Sequence, residues 1–125
     1  MLKKVAKEGY PEAHFFLGEA YADDNKHSLA YAQYLSAAKR GYAPACHALG
    51  KCAEEGKGCK KNLRLALEMY TKAATAGSLE SMYRLGKAEM AGELRLKRDP
   101  VKATKWFKRA AAGNVIEFIH ISCSS

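Results

Sequence analysis

Two dipeptides recur along the chain at a near-constant interval. Leu-Gly stands at Leu17-Gly18, Leu49-Gly50 and Leu85-Gly86, and Ala-Ala at Ala37-Ala38, Ala73-Ala74 and Ala110-Ala111. The intervals are 32 and 36 residues for the first pair and 36 and 37 for the second. A period of about 20 to 50 residues marks an array in which each unit buries its apolar face against its neighbours. Such arrays offer extended binding surfaces more readily than closed catalytic pockets.

Each unit reads as a first helix, a loop, a second helix and a turn. In the first unit Ala13, Leu17 and Ala20 fall at helical spacing on one helix, and Ala30, Tyr34, Ala37 and Ala38 on the next. The second unit supplies Ala45, Leu49 and Cys52, then Ala66, Met69, Tyr70, Ala73 and Ala74. The third supplies Ser81, Leu85 and Ala88, then Ala103, Trp106, Phe107, Ala110 and Ala111. Small residues let paired helices approach closely, and the aromatic residues fill the space between layers. Glycines at 9, 41 and 77 are placed to stop the second helices, with Gly113-Asn114 at the corresponding point of the third unit. Asn62 and the pair Asp99-Pro100 are placed to start the second helices of units two and three.

The units span about 9–41, 42–77 and 78–114. Residues 1–8 read as the end of a preceding helix, because KKVAKEG aligns with KAATAG and SAAKRG, and 115–125 as a divergent C-terminal tail. The first loop, YADDNKHS, is shorter than EEGKGCKKN and AGELRLKRD.

Those features resemble the Sel1-like repeat, a relative of the tetratricopeptide repeat. The resemblance rests on the LG of the first helix, the glycine-containing loop and an A-x-x-W/Y-x-x-K/R-A-A ending, best seen in ALGKCAEEGKGCKKNLRLALEMYTKAATAG and RDPVKATKWFKRAAAGN. It implies an all-α fold, a right-handed α-solenoid of about three helix-turn-helix repeats, acting as an adaptor between proteins with no activity of its own. The order of a short first unit, CAEEGKG, SMYRLG and KWFKRAAA is similar to the repeat region of fungal chitin synthase regulatory proteins, which implies a chitin synthase or an associated factor as partner. Proteins of that group often end in a prenylation box. Here only Ser124 and Ser125 follow Cys123, where the box requires three residues.

The same architecture implies that first helices line the concave face. The positions between buried residues there are Glu12, Phe16, Glu19 and Asp23, then Ala48, Lys51 and Glu55, then Glu80, Arg84 and Lys87. They pass from acidic to basic along the array, and Glu12, Phe16, Glu19, Lys51, Arg84 and Lys87 are the candidate partner-binding residues. Phe16 stands out, because its counterparts are Ala48 and Arg84 and an exposed aromatic can anchor a partner.

Other chemistries have less support. The histidines, His14, His27, His47 and His120, are scattered, and no phosphate-binding glycine loop, H-E-x-x-H or G-x-S-x-G is present. Glu54 and Glu55 read as a solvated helix end. Cys46, His47, Cys52 and Cys59 lack the close ligand pairs of a structural zinc site, and Cys52, aligned with Ala20 and Ala88, reads as a buried packing residue. No catalytic residue, cofactor or metal site is expected. Of the net charge of +8, residues 59–125 carry +7. Arg98, Lys102, Lys105 and Arg109 form a stripe along one helix, which makes nucleic acid the alternative partner. No aromatic residue interleaves that stripe. No run is apolar for the roughly 18 residues of a membrane span, and no apolar stretch follows the lysines of MLKKVAKEGY. The expected location is the cytoplasm, or the periphery of a membrane through a partner.

Overall fold

The computed structural model describes residues 10–124, with side chains described as far as Gly113. Residues 1–8 and Gly9, read above as the end of a preceding helix and its stop, lie outside the described residues. Six helices follow one another: α1 (Pro11–Asp23), α2 (His27–Lys39), α3 (Ala43–Glu55), α4 (Leu63–Thr75), α5 (Leu79–Ala91) and α6 (Pro100–Ser124). No strand occurs among the described residues, and the chain is the expected all-α solenoid of helix hairpins. The most extensive contacts join α1 to α2, α3 to α4 and α5 to α6, and narrower ones join α2 to α3 and α4 to α5.

The helix boundaries follow from the residues expected to set them, with one exception. The Asn62 side chain accepts from the Leu65 N–H at 3.0 Å, and Asp99 Oδ1 accepts from the Val101 and Lys102 N–H groups at 3.2 and 3.1 Å. Gly41 and Gly77 take φ of +82° and +105° just past α2 and α4, a conformation that L side chains disfavour. The exception is Gly113-Asn114, where α6 continues to Ser124 instead of stopping. No turn is forced there, since helical φ and ψ are open to both residues.

Close approach within each hairpin is made by the glycine of the Leu-Gly pair. A Cβ placed on Gly18 would lie 2.8 Å from the Tyr34 ring, on Gly50 2.7 Å from the Tyr70 ring, and on Gly86 2.6 Å from the Phe107 ring. Each second-helix aromatic therefore lies directly on a first-helix glycine. A second ring covers it from the first helix, two residues before the leucine. Phe15 lies 5.8 Å from Tyr34, His47 5.2 Å from Tyr70 and Tyr83 5.9 Å from Phe107, centroid to centroid. Leu17, Leu49 and Leu85 fill the remaining space and are buried.

The loops join one unit to the next. Gly58, at φ +78°, passes so close to the start of α2 that a Cβ would lie 2.2 Å from the His27 carbonyl oxygen. The equivalent place in unit three is taken by Leu94, also at positive φ (55°), whose side chain is 3% exposed in a core shared with Ala53, Ala66 and Tyr70 of unit two. Burial of a leucine is worth about 1.5–3 kcal/mol, which offsets the cost of about 1–2 kcal/mol for a left-handed backbone.

Ala20, Ala110 and Ala111 are less buried than the spacing predicts, the first of them beside the shortest loop. Asn62 N–H bonds back to the Ala53 carbonyl at 2.8 Å and Asp99 N–H to that of Glu89 at 2.7 Å, so loops 56–62 and 92–99 fold over the ends of α3 and α5. The short loop 24–26 closes with the equivalent bond, Lys26 N–H to the Tyr21 carbonyl at 2.8 Å, but has no residue matching the buried Leu94, and Ala20 is exposed where Ala88 is fully buried and Cys52 half-buried. At the other end no helix follows α6 among the described residues, leaving Ala110 half-buried and Ala111 exposed.

The glycine-ring crossing yields a comparison between units. Tyr70 is 1% exposed with its hydroxyl held by Glu54, whereas Phe107 is half-buried and has no hydroxyl to restrain it. Gly50→Ala should lower the melting temperature despite alanine's helix propensity, because overpacking a fixed contact costs about 1–3 kcal/mol. Gly86→Ala should lower it less. Equal shifts in thermal unfolding would show that the fixed ring is not the cause.

Candidate protein-binding face

Three adjoining grooves run across α1, α3 and α5. The first, about 350 Å³, lies between Glu19, Asp23 and Lys51 over the Tyr34 hairpin. The second, about 460 Å³, is walled by Phe15, Pro44, Ala48 and Leu79 and rimmed by Glu19, Lys51 and Glu80. The third, about 340 Å³, lies between Lys51, Tyr83, Arg84 and Lys87. Lys51 borders all three, which makes them one continuous face.

Of the candidate residues, the structure brings Glu19, Lys51, Arg84 and Lys87 onto this face, while Glu12 and Phe16 line none of the grooves. Phe16 is 53% exposed. It packs edge-on against Phe15 at 5.3 Å, and it is Phe15 that faces the groove. Lys51 and Lys87 are exposed and form no ion pair among the described residues; the Lys87 ammonium lies 5.3 Å over the Tyr83 ring.

Arg84 is engaged within the chain. Its Nε and Nη2 donate to the two oxygens of Glu54 at 3.1 and 2.5 Å, and its Nη1 donates to Glu93 at 2.9 Å. Glu54 also accepts from the Tyr70 hydroxyl at 2.8 Å. This network ties α3 of one unit to α5 of the next. The arginine's hydrogen bonds hold the Glu54 carboxyl below its usual range, while burial, with Glu54 beside it, pushes the Tyr70 phenol up. Glu54 is thus a structural carboxylate and not the solvated helix end read from sequence; Glu55, exposed and paired with Lys57 at 3.2 Å, fits that description. In unit one the Tyr34 hydroxyl donates to Glu19 instead.

His47 makes the second link between units. Its Nδ1 shares a 2.7 Å hydrogen bond with Oγ of Ser81, and its Nε2 lies 3.4 Å from a Glu80 oxygen. Burial lowers its pKa, against the opposing pull of Glu80. A serine, a histidine and a carboxylate in series are the connectivity of an acyl-transfer site, which no sequence motif announced. Ser81, however, is 0% exposed, so no substrate can reach its oxygen. The set works as a hydrogen-bonded clasp.

The remaining alternatives meet specific obstacles. Cys46 is buried, and Cys52 is half-buried with a thiol pushed up to about 11, chiefly by burial, which disfavours the thiolate that metals and electrophiles need. Along the basic stripe, Arg98 donates to the Met90 carbonyl and Arg109 stacks over Trp106 at 5.0 Å, leaving Lys102 and Lys105 as its freely exposed members. Nothing in this arrangement favours nucleic acid. No helix among the described residues is long and apolar enough to cross a membrane.

Residues 43–78 and 79–115 each match the Sel1 repeat family. The chain is 31% identical over 119 residues to Protein SHC1 of Saccharomyces cerevisiae, covering 90% of this chain and 23% of that protein. It is 28% identical over 108 residues to Chitin synthase regulatory factor 2 of Schizosaccharomyces pombe, covering 82% and 21%. The chain therefore spans under a quarter of the length of these relatives. The crystal structure of a Sel1 repeat protein from Oxalobacter formigenes superposes with a TM-score of 0.79 at 29% identity, over 85% of this chain and 45% of that one.

Two outcomes follow from the links between units. Arg84→Ala should destabilise the protein by about 1–3 kcal/mol in denaturant unfolding, because it leaves the half-buried Glu54 carboxylate with the Tyr70 hydroxyl but without its cationic donors, whereas Lys87→Ala should change stability by less than about 0.5 kcal/mol. Similar effects at both would contradict the network. The neutral form of His47 is favoured in the fold, since its folded pKa lies below the ordinary 6.5. Its contribution is complete above that value and declines as pH falls below it. The melting-temperature difference between the wild type and His47→Gln should accordingly shrink from pH 7 to pH 5; a difference that grows would reverse the assignment.

Proposed function

Because the chain belongs to the Sel1 repeat family, we propose that it is a non-enzymatic adaptor that holds another protein across α1, α3 and α5. The observation carrying this reading is the continuity of the three grooves around Lys51. A face that crosses all three units suits a protein segment better than a small molecule. Glu19, Lys51 and Lys87 are its contact residues, while Arg84 shapes the face through Glu54 and Glu93. Phe16 and Glu12 serve a partner only outside the grooves.

The finer reading is a regulator of chitin synthase, working in the cytoplasm or at a membrane through that partner. It is supported by the name of the fission yeast relative and by the extent of this chain that the similarity covers. The same array without that partner remains a general adaptor.

The test uses a substitution that the repeat itself tolerates. Ala48 lines the first two grooves and aligns with Phe16 and Arg84, so its position accommodates large side chains in the neighbouring units. Ala48→Phe should fill the second groove, keep the helical circular dichroism and abolish capture of a partner from host extract. Capture unaffected by Ala48→Phe would overturn the proposed face. For the finer reading, loss of the protein should delocalise or weaken a chitin synthase in the host, and a host that makes no chitin would remove it.

A further inference from the structure

The chain is strongly basic, yet the largest of these three grooves is not. The second groove has apolar walls made by the half-buried Phe15, Ala48 and Leu79 together with Pro44. Its charged rim consists of Glu19 from α1, Lys51 from α3 and Glu80 from α5. Glu80 is 83% exposed, and its nearest cationic partner is His47, whose burial keeps it neutral at pH 7. Glu19 is exposed and, among the described residues, accepts from the neutral Tyr34 hydroxyl alone. Neither carboxylate is offset by a lysine or arginine among the described ion pairs, and Asp23 adds a third in the adjoining groove. In the third groove it is a cation that is offset, since Arg84 is neutralised by Glu54 and Glu93. An apolar slot bordered by carboxylates on two of its three helices therefore sits on a protein of net charge +8.

We propose that this groove takes a segment of a partner protein in which a bulky apolar side chain is flanked by lysines or arginines. The inference rests on the adaptor reading and specifies the chemistry of its partner. A groove of about 460 Å³ admits one large side chain with room for its backbone. Flanking cations meet Glu19 and Glu80 on opposite sides of the slot, where complementary potentials set partner choice and register more than raw affinity. Lys51, between them, repels the same cations and limits how tightly the segment is held. The acidic rim also rejects phosphate-rich partners at this face, which separates the groove from the basic residues elsewhere on the chain.

The probe is a short acetylated, amidated peptide with one phenylalanine between paired lysines, compared with a twin carrying glutamates in their place. Binding to the intact protein at low salt is followed by amide chemical shifts. The lysine peptide should shift resonances of Glu19, Ala48, Leu79 and Glu80, and added salt should weaken it. Glu80→Lys should weaken it by up to about fivefold, and Lys51→Glu should tighten it by up to about fivefold, the range for one exposed charge pair. Tighter binding of the glutamate twin, or a lysine peptide indifferent to both substitutions, overturns the proposal. Should neither peptide bind while host extract still yields a partner that Ala48→Phe loses, this proposal fails and the adaptor reading stands. Should Ala48→Phe lose no partner, it is the adaptor reading that fails.

Discussion

The contact on which the rest of this molecule depends is an aromatic ring resting on a glycine. At Gly18, Gly50 and Gly86 the first helix exposes bare backbone, and Tyr34, Tyr70 and Phe107 of the second helix occupy the space a Cβ would need. That fixes how near the two helices of a hairpin lie. It also fixes the height of the ring, so that Phe15, His47 or Tyr83 can cover it from the first helix. The covering residues form the inner wall of the grooves, and the binding face is in this sense the reverse side of the packing.

One repeat position shows how a constant backbone carries variable chemistry. The residue before each Leu-Gly leucine is Phe16, Ala48 and Arg84 in turn. Arg84 reaches back to Glu54 in the preceding unit and closes the space between them. Ala48 is too short to reach across, and it lines the first two grooves. Phe16 projects to solvent beside Phe15. The approach of glycine to ring hardly changes among these cases, at 2.8, 2.7 and 2.6 Å from a Cβ placed on Gly18, Gly50 and Gly86.

Much of this was legible in the sequence, since the recurring residues are those whose size or backbone conformation the fold requires. The Leu-Gly pairs, the helix-stopping Gly41 and Gly77 and the capping Asn62 and Asp99 each act through local geometry that one residue determines. The partnership of Glu54 with Arg84 was hidden because the two are thirty positions apart and Glu54 has no charged counterpart at the same point of the other units. The row Phe15, His47 and Tyr83 was detectable, as it keeps the intervals of the Leu-Gly pair, but its members share planarity and not residue type. Ala20 could not be told from Ala88 by periodicity, because both hold the same place in the repeat, while only the longer loop of the third unit brings a leucine, Leu94, into the core that buries Ala88. Helix α6 ran past Gly113-Asn114 because these residues permit a stop without compelling one.

The loops carry a consequence for how such arrays are built and rebuilt. Gly58 belongs by sequence to the second unit but abuts the backbone of the first at His27, and Leu94 of the third unit is buried in a core with residues of the second. The repeat seen in the sequence and the smallest exchangeable piece of the structure are therefore out of phase. Recombination at Gly41 or Gly77 would preserve every helix and still part each loop from the surface that shaped it. A viable splice would have to move the loop together with the opening turn of the helix it covers, so the heritable module is the joint between two repeats.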